Sequence, residues 1–206
     1  MKFLLLSDIH SNAKNLEEIL KKTDFDLLLI AGDLTHFRKQ DVVAIDEIIS
    51  KYSSECYAVH GNCDHREMLS YELNAINFIH GKSLSLDEFT IHGIGGSLKT
   101  PFGTPSEYTE KDYEEIIKGF KFSDFNLLVS HSPARGILDR TNYGENIGSE
   151  VIRDHLSNFQ IALTGHVHES FGVYSDKPIV VNPGPVNWGR FAILELNSME
   201  VELKKI

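Results

Sequence analysis

Apolar residues along this chain gather in short, nearly unbroken runs, and five of them stop at polar residues of metal-binding type. The run over residues 3–6 leads into Asp8 and His10, that over 27–32 into Asp33, and that over 56–61 into Asn62. The run over 127–130 leads into His131, and that over 161–165 into His166 and His168. Runs of this kind suit strands covered on both faces, as in sheets flanked by helices. Ligands in open α/β sheets bind beyond the carboxyl ends of such strands, so the five polar ends are expected at one crevice.

Between the runs the period becomes helical. Leu16, Ile19 and Leu20 form one buried stripe, with Ser11 or Asn12 as its cap. Val42, Ile45, Ile48 and Ile49 form a second after Asp41, and Val151, Ile152, His155 and Leu156 another after Ser149. Tyr113, Ile116, Ile117 and Phe120 follow Thr109 with Asp112 three residues on, close to a capping box. All four stripes read as core packing. Residues 179–181 then read as a strand running into the Asn182-Pro183-Gly184-Pro185 turn, and 191–196 and 199–203 as strands joined at Asn197-Ser198. Alternation first and strands later predicts two sheets in one domain over residues 1–206. Residues 97–107 and 133–148 read as loops without regular structure.

Bulk properties narrow the partners. A chain of 206 residues that is 41% hydrophobic is long enough to bury a sizeable core. The formal charge of −10 weighs against long nucleic acid, which usually selects a basic footprint. It leaves room for a small anion, because a metal site can dominate its own pocket. The apolar run at residues 3–6 is too short for a signal peptide or a spanning helix, so no membrane partner is expected. Cys56 and Cys63 make no disulfide framework, which fits a reducing cytoplasm.

Asp8-x-His10, Gly32-Asp33 and Gly61-Asn62 are each weak signals alone. Gly165-His166-x-His168 is stronger, because two imidazoles two residues apart project to one side of an extended segment. The combination, each part ending an apolar run, is specific for a metal site. Glycine before Asp33, Asn62 and His166 lets the chain turn sharply and approach a ligand. Mixed carboxylate, amide and imidazole donors suit two divalent ions, manganese foremost, with iron, cobalt, nickel or zinc as the other candidates. Two such ions ~3.5–4 Å apart can share a hydroxide and clamp phosphoryl oxygens. The remaining histidines, His36, His60, His65, His80, His92 and His155, read as structural or solvated, with His65 a candidate stand-in proton donor. Arg66, Lys99, Arg135 and Arg140 are candidates to meet a phosphate, although most of them read as solvated surface charges.

With Asp8-Ile9-His10, Gly32-Asp33, Gly61-Asn62-Cys63-Asp64, Ser130-His131 and Gly165-His166-Val167-His168 in this order, the chain resembles the calcineurin-like metallophosphoesterases. The resemblance is closest to their small bacterial and archaeal phosphodiesterase branch. It implies a four-layer α/β/β/α sandwich with two mixed sheets, and a phosphodiesterase using a metal-bridging hydroxide on a small phosphoester substrate. It implies that Asp8, His10 and His168 hold one ion, that Asn62, His131 and His166 hold the other, and that Asp33 bridges. Asp64 would orient the third block, and the Asn182-Pro183-Gly184 turn would lie near the site. Many members carry histidine where this chain has Cys63, and that histidine is thought to assist the leaving group. A positioned general acid contributes ~10²–10⁴-fold, so poor leaving groups should be slow here. The competing readings are a non-catalytic scaffold of the same fold, a phosphomonoesterase and a nuclease. All seven ligand positions are filled, which favours catalysis. Substrate choice is expected in loops 97–107 and 133–148.

Overall fold

Strand β1 (Lys2–Leu6) shows how the layers arise. Its side chains alternate across the sheet, so Leu4 and Leu6 face one core while Phe3 and Leu5 face another. The computed structural model describes residues 1–86 and 88–206. In chain order, β1, β2 (Leu27–Ala31), β3 (Cys56–Val59) and β4 (Ile76–Phe78) run parallel, with α1 (Ala13–Lys22) and α2 (Asp41–Ile49) connecting the first three. The chain then builds β5 (Ser83–Ser85), β6 (Thr90–Ile94), a short parallel pair β7 (Ser97–Leu98) and β8 (Glu107–Tyr108), and α3 (Glu110–Lys118). Next come β9 (Asn126–Ser130), α4 (Glu150–His155), β10 (Ile161–Leu163), β11 (Gly172–Tyr174) and β12 (Ile179–Asn182). Finally β13 (Arg190–Glu195) and β14 (Glu200–Lys205) return to the first sheet.

Two six-stranded sheets result, ordered β14-β13-β1-β2-β3-β4 and β11-β12-β10-β9-β6-β5. Both are mixed: each has four parallel strands, with antiparallel partners at β13 and β14 in one and at β11 and β5 in the other. Three apolar layers hold them. One packs Leu4, Leu28 and Ile30 against Leu16, Ile19 and Ile45 of the first helix pair. A second joins the sheets through Phe3, Leu29, Val59, Leu127, Val129 and Leu163. The third sets Leu128, Ala162 and Val180 against Tyr113, Ile117 and Ile152. Helices, sheet, sheet and helices separated by these three cores make the α/β/β/α sandwich, and each fully buried Leu or Ile contributes ~1.5–3 kcal/mol to it.

The helix starts follow the caps. Asn12, not Ser11, caps α1, its side chain accepting from the Asn15 N–H at 3.0 Å. Thr109 and Asp112 complete a capping box, and Ser149 accepts from Ile152 N–H at 3.0 Å. The expectation for residues 97–107 needs correction, since β7 and β8 close this segment into a small sheet of its own. Strands β4, β5, β6 and β11 are additions to the sequence reading. Among the described residues, no helix is long and apolar enough to cross a membrane.

Candidate metal centre

The carboxyl ends of β1, β2 and β3 meet those of β9 and β10 along one edge of the sandwich, and every expected ligand sits just past one of them. Backbone bonds lash these ends together: Asp8 N–H donates to Gly32 O at 3.0 Å, His10 N–H to Asp33 O at 2.9 Å, and Gly165 N–H to His131 O at 3.2 Å. The sharp turns fall on the ligand-type residues themselves. Asp8 (φ +53°), His10 (φ +48°), Asp33 (φ +49°) and His166 (φ +69°) all occupy the left-handed region. Such backbone costs ~1–3 kcal/mol per residue and gathers at functional sites.

The glycines divide by role. Gly32 turns with φ +83°, as the sequence led us to expect. Gly61 and Gly165 do not share that conformation and serve close approach instead. A side chain on Gly61 would strike the Asp33 carboxylate, and one on Gly165 would strike the Ser7 hydroxyl and the Ala31 carbonyl.

Three overlapping triads emerge: Asp8, His10 and His168; His10, Asp33 and Cys63; and Asp8, Asp33 and His131. Within each, the ligand-type atoms lie within 4.8 Å of one another. His10 Nε2 stands 3.2 Å from His168 Nε2, which is 3.2 Å from Asp8 Oδ1. Asp33 reaches both ends of the cluster, with Oδ2 3.7 Å from His10 Nε2 and Oδ1 3.6 Å from His131 Nε2. His166 packs its ring 5.1 Å from that of His131 and donates its backbone N–H to Asp8.

His131 tests whether these residues fit metal ions. Its Nδ1 must donate to the Ala31 carbonyl at 2.7 Å, which leaves Nε2 as a lone pair in the neutral ring. Nε2 nevertheless faces the Asn62 side-chain oxygen at 2.9 Å, another lone pair. Two acceptors turned towards each other in a buried site are what a shared cation relieves. The donor set therefore fits a pair of divalent ions.

Electrostatics agree. Burial, with Asp64 and Asp8 nearby, pushes the Asp33 carboxyl up to about 7 despite His131. Burial lowers His10 to about 4 and His166 to about 3, so both imidazoles are neutral donors near pH 7. Burial would also lower His168, but the Asp8 carboxylate outweighs it and raises this ring. Burial in turn would raise Asp8, yet its contact with His168 and the charge of the neighbouring imidazoles hold it below the usual carboxylate range.

Asp64 and Cys63 hold the cluster from behind. The buried Asp64 carboxylate accepts from Gly61 N–H at 2.8 Å, Leu34 N–H at 3.0 Å, and Thr35 N–H and Oγ1–H at 2.8 Å each. It thereby ties the Asp33 loop to the Asn62 loop. Cys63 donates its backbone N–H to Asp33 Oδ1 at 2.8 Å, and burial drives its thiol well above the usual range. Asn182 donates to Val167 O at 2.9 Å, bracing the link between His166 and His168.

The cluster floors a cavity of about 440 Å³ that is also lined by residues of both expected loops, including Lys99, Phe102, Tyr143 and Glu145. A wider groove of about 830 Å³ beside β14 is lined by Lys and Glu side chains with no histidine or cysteine. Of the four candidate cations, Lys99 alone lines the cavity among the described residues, in line with most of them being surface charges. Arg66 lies over the Tyr108 ring and donates to Glu107 O, and Arg135 pairs with Glu150. His65 donates to Phe37 O at 3.2 Å and is absent from the cavity lining, so it is not placed as a stand-in proton donor. His60, His80, His92 and His155 are engaged by Tyr108, Gly95, Asn126 and Glu114. The sequence reading missed Trp188, whose ring sits 5.4 Å from that of His168; its place just after the Asn182–Pro185 turn was the available signal.

Comparison with known proteins agrees with this geometry. The calcineurin-like phosphoesterase family profile matches residues 1–170, and the chain belongs to that family of phosphoester hydrolases. It is 36% identical over 203 residues to the uncharacterized protein MJ1162 of Methanocaldococcus jannaschii, covering 91% of this chain and 90% of that one. Its fold is similar to that of TT1561 from Thermus thermophilus, with a TM-score of 0.73 at 17% identity over 99% and 98% of the two chains. It is also similar to the phosphopantetheinyl hydrolase PptH of Mycobacterium tuberculosis, with a TM-score of 0.66 at 15% identity over 91% of each.

Proposed function

We propose that this chain is a dinuclear metal-dependent phosphodiesterase acting on a small substrate. The observation that carries the reading is the chain of triads sharing Asp8, His10 and Asp33, with opposed lone pairs on His131 and Asn62 at one end. Asp8, His10 and His168 would hold one ion, Asn62, His131 and His166 the other, with Asp33 between them. When bound, the ions supply an activated water and positive charge against the phosphoryl oxygens. The protein's own share is positioning. Ala31 fixes the His131 tautomer, Cys63 N–H and the Asp64 tether orient Asp33, and Asn182 braces the His166–His168 link.

Preference for a diester rests on charge. A monoester dianion asks for more countercharge than a diester monoanion, and Lys99 is the lone lysine or arginine among the described lining residues. Manganese is the metal we favour for this nitrogen- and oxygen-rich set, in a protein working in the cytoplasm. The test compares an aryl phosphodiester with the matching monoester, using manganese-reconstituted protein. Faster diester turnover that vanishes in Asp33→Ala is the expected result; faster monoester turnover overturns the diester assignment.

A further inference from the structure

Phe102 and Tyr143 are the two most exposed large apolar side chains described, 85% and 93% open to solvent. Aromatic rings so displayed lose the burial that usually repays them. Both line the cavity floored by His10, Asp33 and His168, although they come from different loops.

Each ring is held out by a built turn. The Glu107 carboxylate accepts from Thr100 Oγ1–H at 2.6 Å and from Thr104 N–H and Oγ1–H at 2.8 Å each, closing the loop that carries Phe102. Phe102 N–H itself donates to Thr100 Oγ1 at 3.2 Å. Tyr143 tips a turn in which Gly144 N–H donates to Thr141 O at 2.9 Å and Thr141 N–H to Glu145 O at 2.8 Å. That turn is moored to Glu169, beside His168, through the Asn142 N–H at 2.7 Å. A closed turn leaves only the side-chain torsions to be ordered when a flat partner stacks on its ring, so stacking is spared the backbone's share of the ordering cost.

We infer that Phe102 and Tyr143 form a stacking platform selecting phosphoesters whose organic part carries a flat aromatic ring. This deepens the phosphoesterase reading and rests on it. The ring can arise from a nucleobase, carried at the far side of a sugar, or from an aryl group on the ester oxygen. Stacking accepts both because each has a π-face. Neither residue reaches the reacting atoms; they are specificity residues. Glu107 is a positioning residue for Phe102.

Calorimetric titration of manganese-loaded protein with two ligand pairs decides the matter. One pair is adenosine 5′-monophosphate and ribose 5-phosphate; the other is phenylphosphonate and methylphosphonate. The ringed member of at least one pair should bind tenfold or more tightly, and which pair shows it identifies the source of the ring. That ratio should collapse towards one in Phe102→Ala/Tyr143→Ala, persist in Phe102→Tyr/Tyr143→Phe, and shrink in Glu107→Ala. Both rings are solvent-exposed, so the substitutions leave the core intact. Equal affinity within both pairs, or an unchanged ratio in the double alanine variant, overturns the platform while leaving phosphoester hydrolysis standing. Failure of all four ligands to bind overturns the platform, while hydrolysis of an aryl phosphodiester by the same protein decides the phosphoesterase reading separately.

Discussion

His131 donates its Nδ1 proton to the Ala31 carbonyl at 2.7 Å and thereby turns its Nε2 lone pair on the Asn62 side-chain oxygen, 2.9 Å away. The strand end that supplies the carbonyl also leads into Asp33, so one segment fixes the tautomer of one proposed ligand and carries the next. A structure organised in this way makes specific demands on its supporting residues.

Asp64 is the first. Four donors converge on its two oxygens, and an amide can accept at only one of them. Asp64→Asn would leave donors of Thr35, Leu34 or Gly61 facing an NH₂ group, costing roughly 2–4 kcal/mol. Unfolding free energy from urea titration should fall by that amount, and manganese affinity should fall with it because the Asp33 and Asn62 loops lose their tether. An unchanged urea midpoint would show that the four bonds are worth little.

The pH dependence of the metal-free fold has a defined sign. Burial, reinforced by Arg66, lowers His80 to about 4 from 6.5, and burial lowers His10 to about 4. Between those values the unfolded chain binds more protons than the folded one. Stability from these rings is therefore complete above about pH 6.5 and drains away as pH falls towards 4. Asp33, raised by burial from 3.8 to about 7, acts oppositely and costs stability as pH rises between those two values. His80→Asn keeps an acceptor for the Gly95 N–H yet cannot titrate in this range. In chelator-treated protein, Tm should drop between pH 6.5 and 4, and drop less in His80→Asn. Equal drops would mean that His80 is not buried neutral.

On the proposed function, Cys63 would govern which leaving groups depart. Burial, then Asp33 and Asp64, keep its thiol protonated at neutral pH, so it carries no positive charge and is a poor acid. Aryl phosphodiesters should be turned over faster than alkyl ones. Cys63→Ala should change aryl turnover less than about threefold, whereas Cys63→His should raise alkyl turnover by about tenfold or more, within the ~10²–10⁴ open to a general acid. A loss in Cys63→Ala as deep as that in Asp33→Ala would give the sulfur a direct role.

Sequence pattern reached the site more fully than the rim. Strands β1, β2, β3, β9 and β10 are covered on both faces, so their apolar runs are unbroken and end visibly at Asp8, Asp33, Asn62, His131 and His166. Strand β6 is equally buried but reads poorly, because Thr90 and His92 interrupt it. Their cost is met by partners on the neighbouring strands, Ser85 for Thr90 and Ser83 and Asn126 for His92. Asp46 was hidden for the same reason: it lies on the buried face of α2 and accepts the Asn74, Ala75 and Ile76 N–H groups at the start of β4. The aromatic rim was out of reach, since a Phe or Tyr in a loop carries no period. Only the folded turns around Glu107 and Glu169 bring Phe102 and Tyr143 to one cavity.

Metal counting tests the central claim most directly. Protein stripped by chelator, reloaded with manganese and freed of excess should hold two ions per chain by elemental analysis. Asp33→Ala, which removes the carboxylate reaching both ends of the cluster, should hold one or none and lose phosphoester hydrolysis. A wild-type content of zero or one ion, with hydrolysis intact, would contradict the dinuclear account.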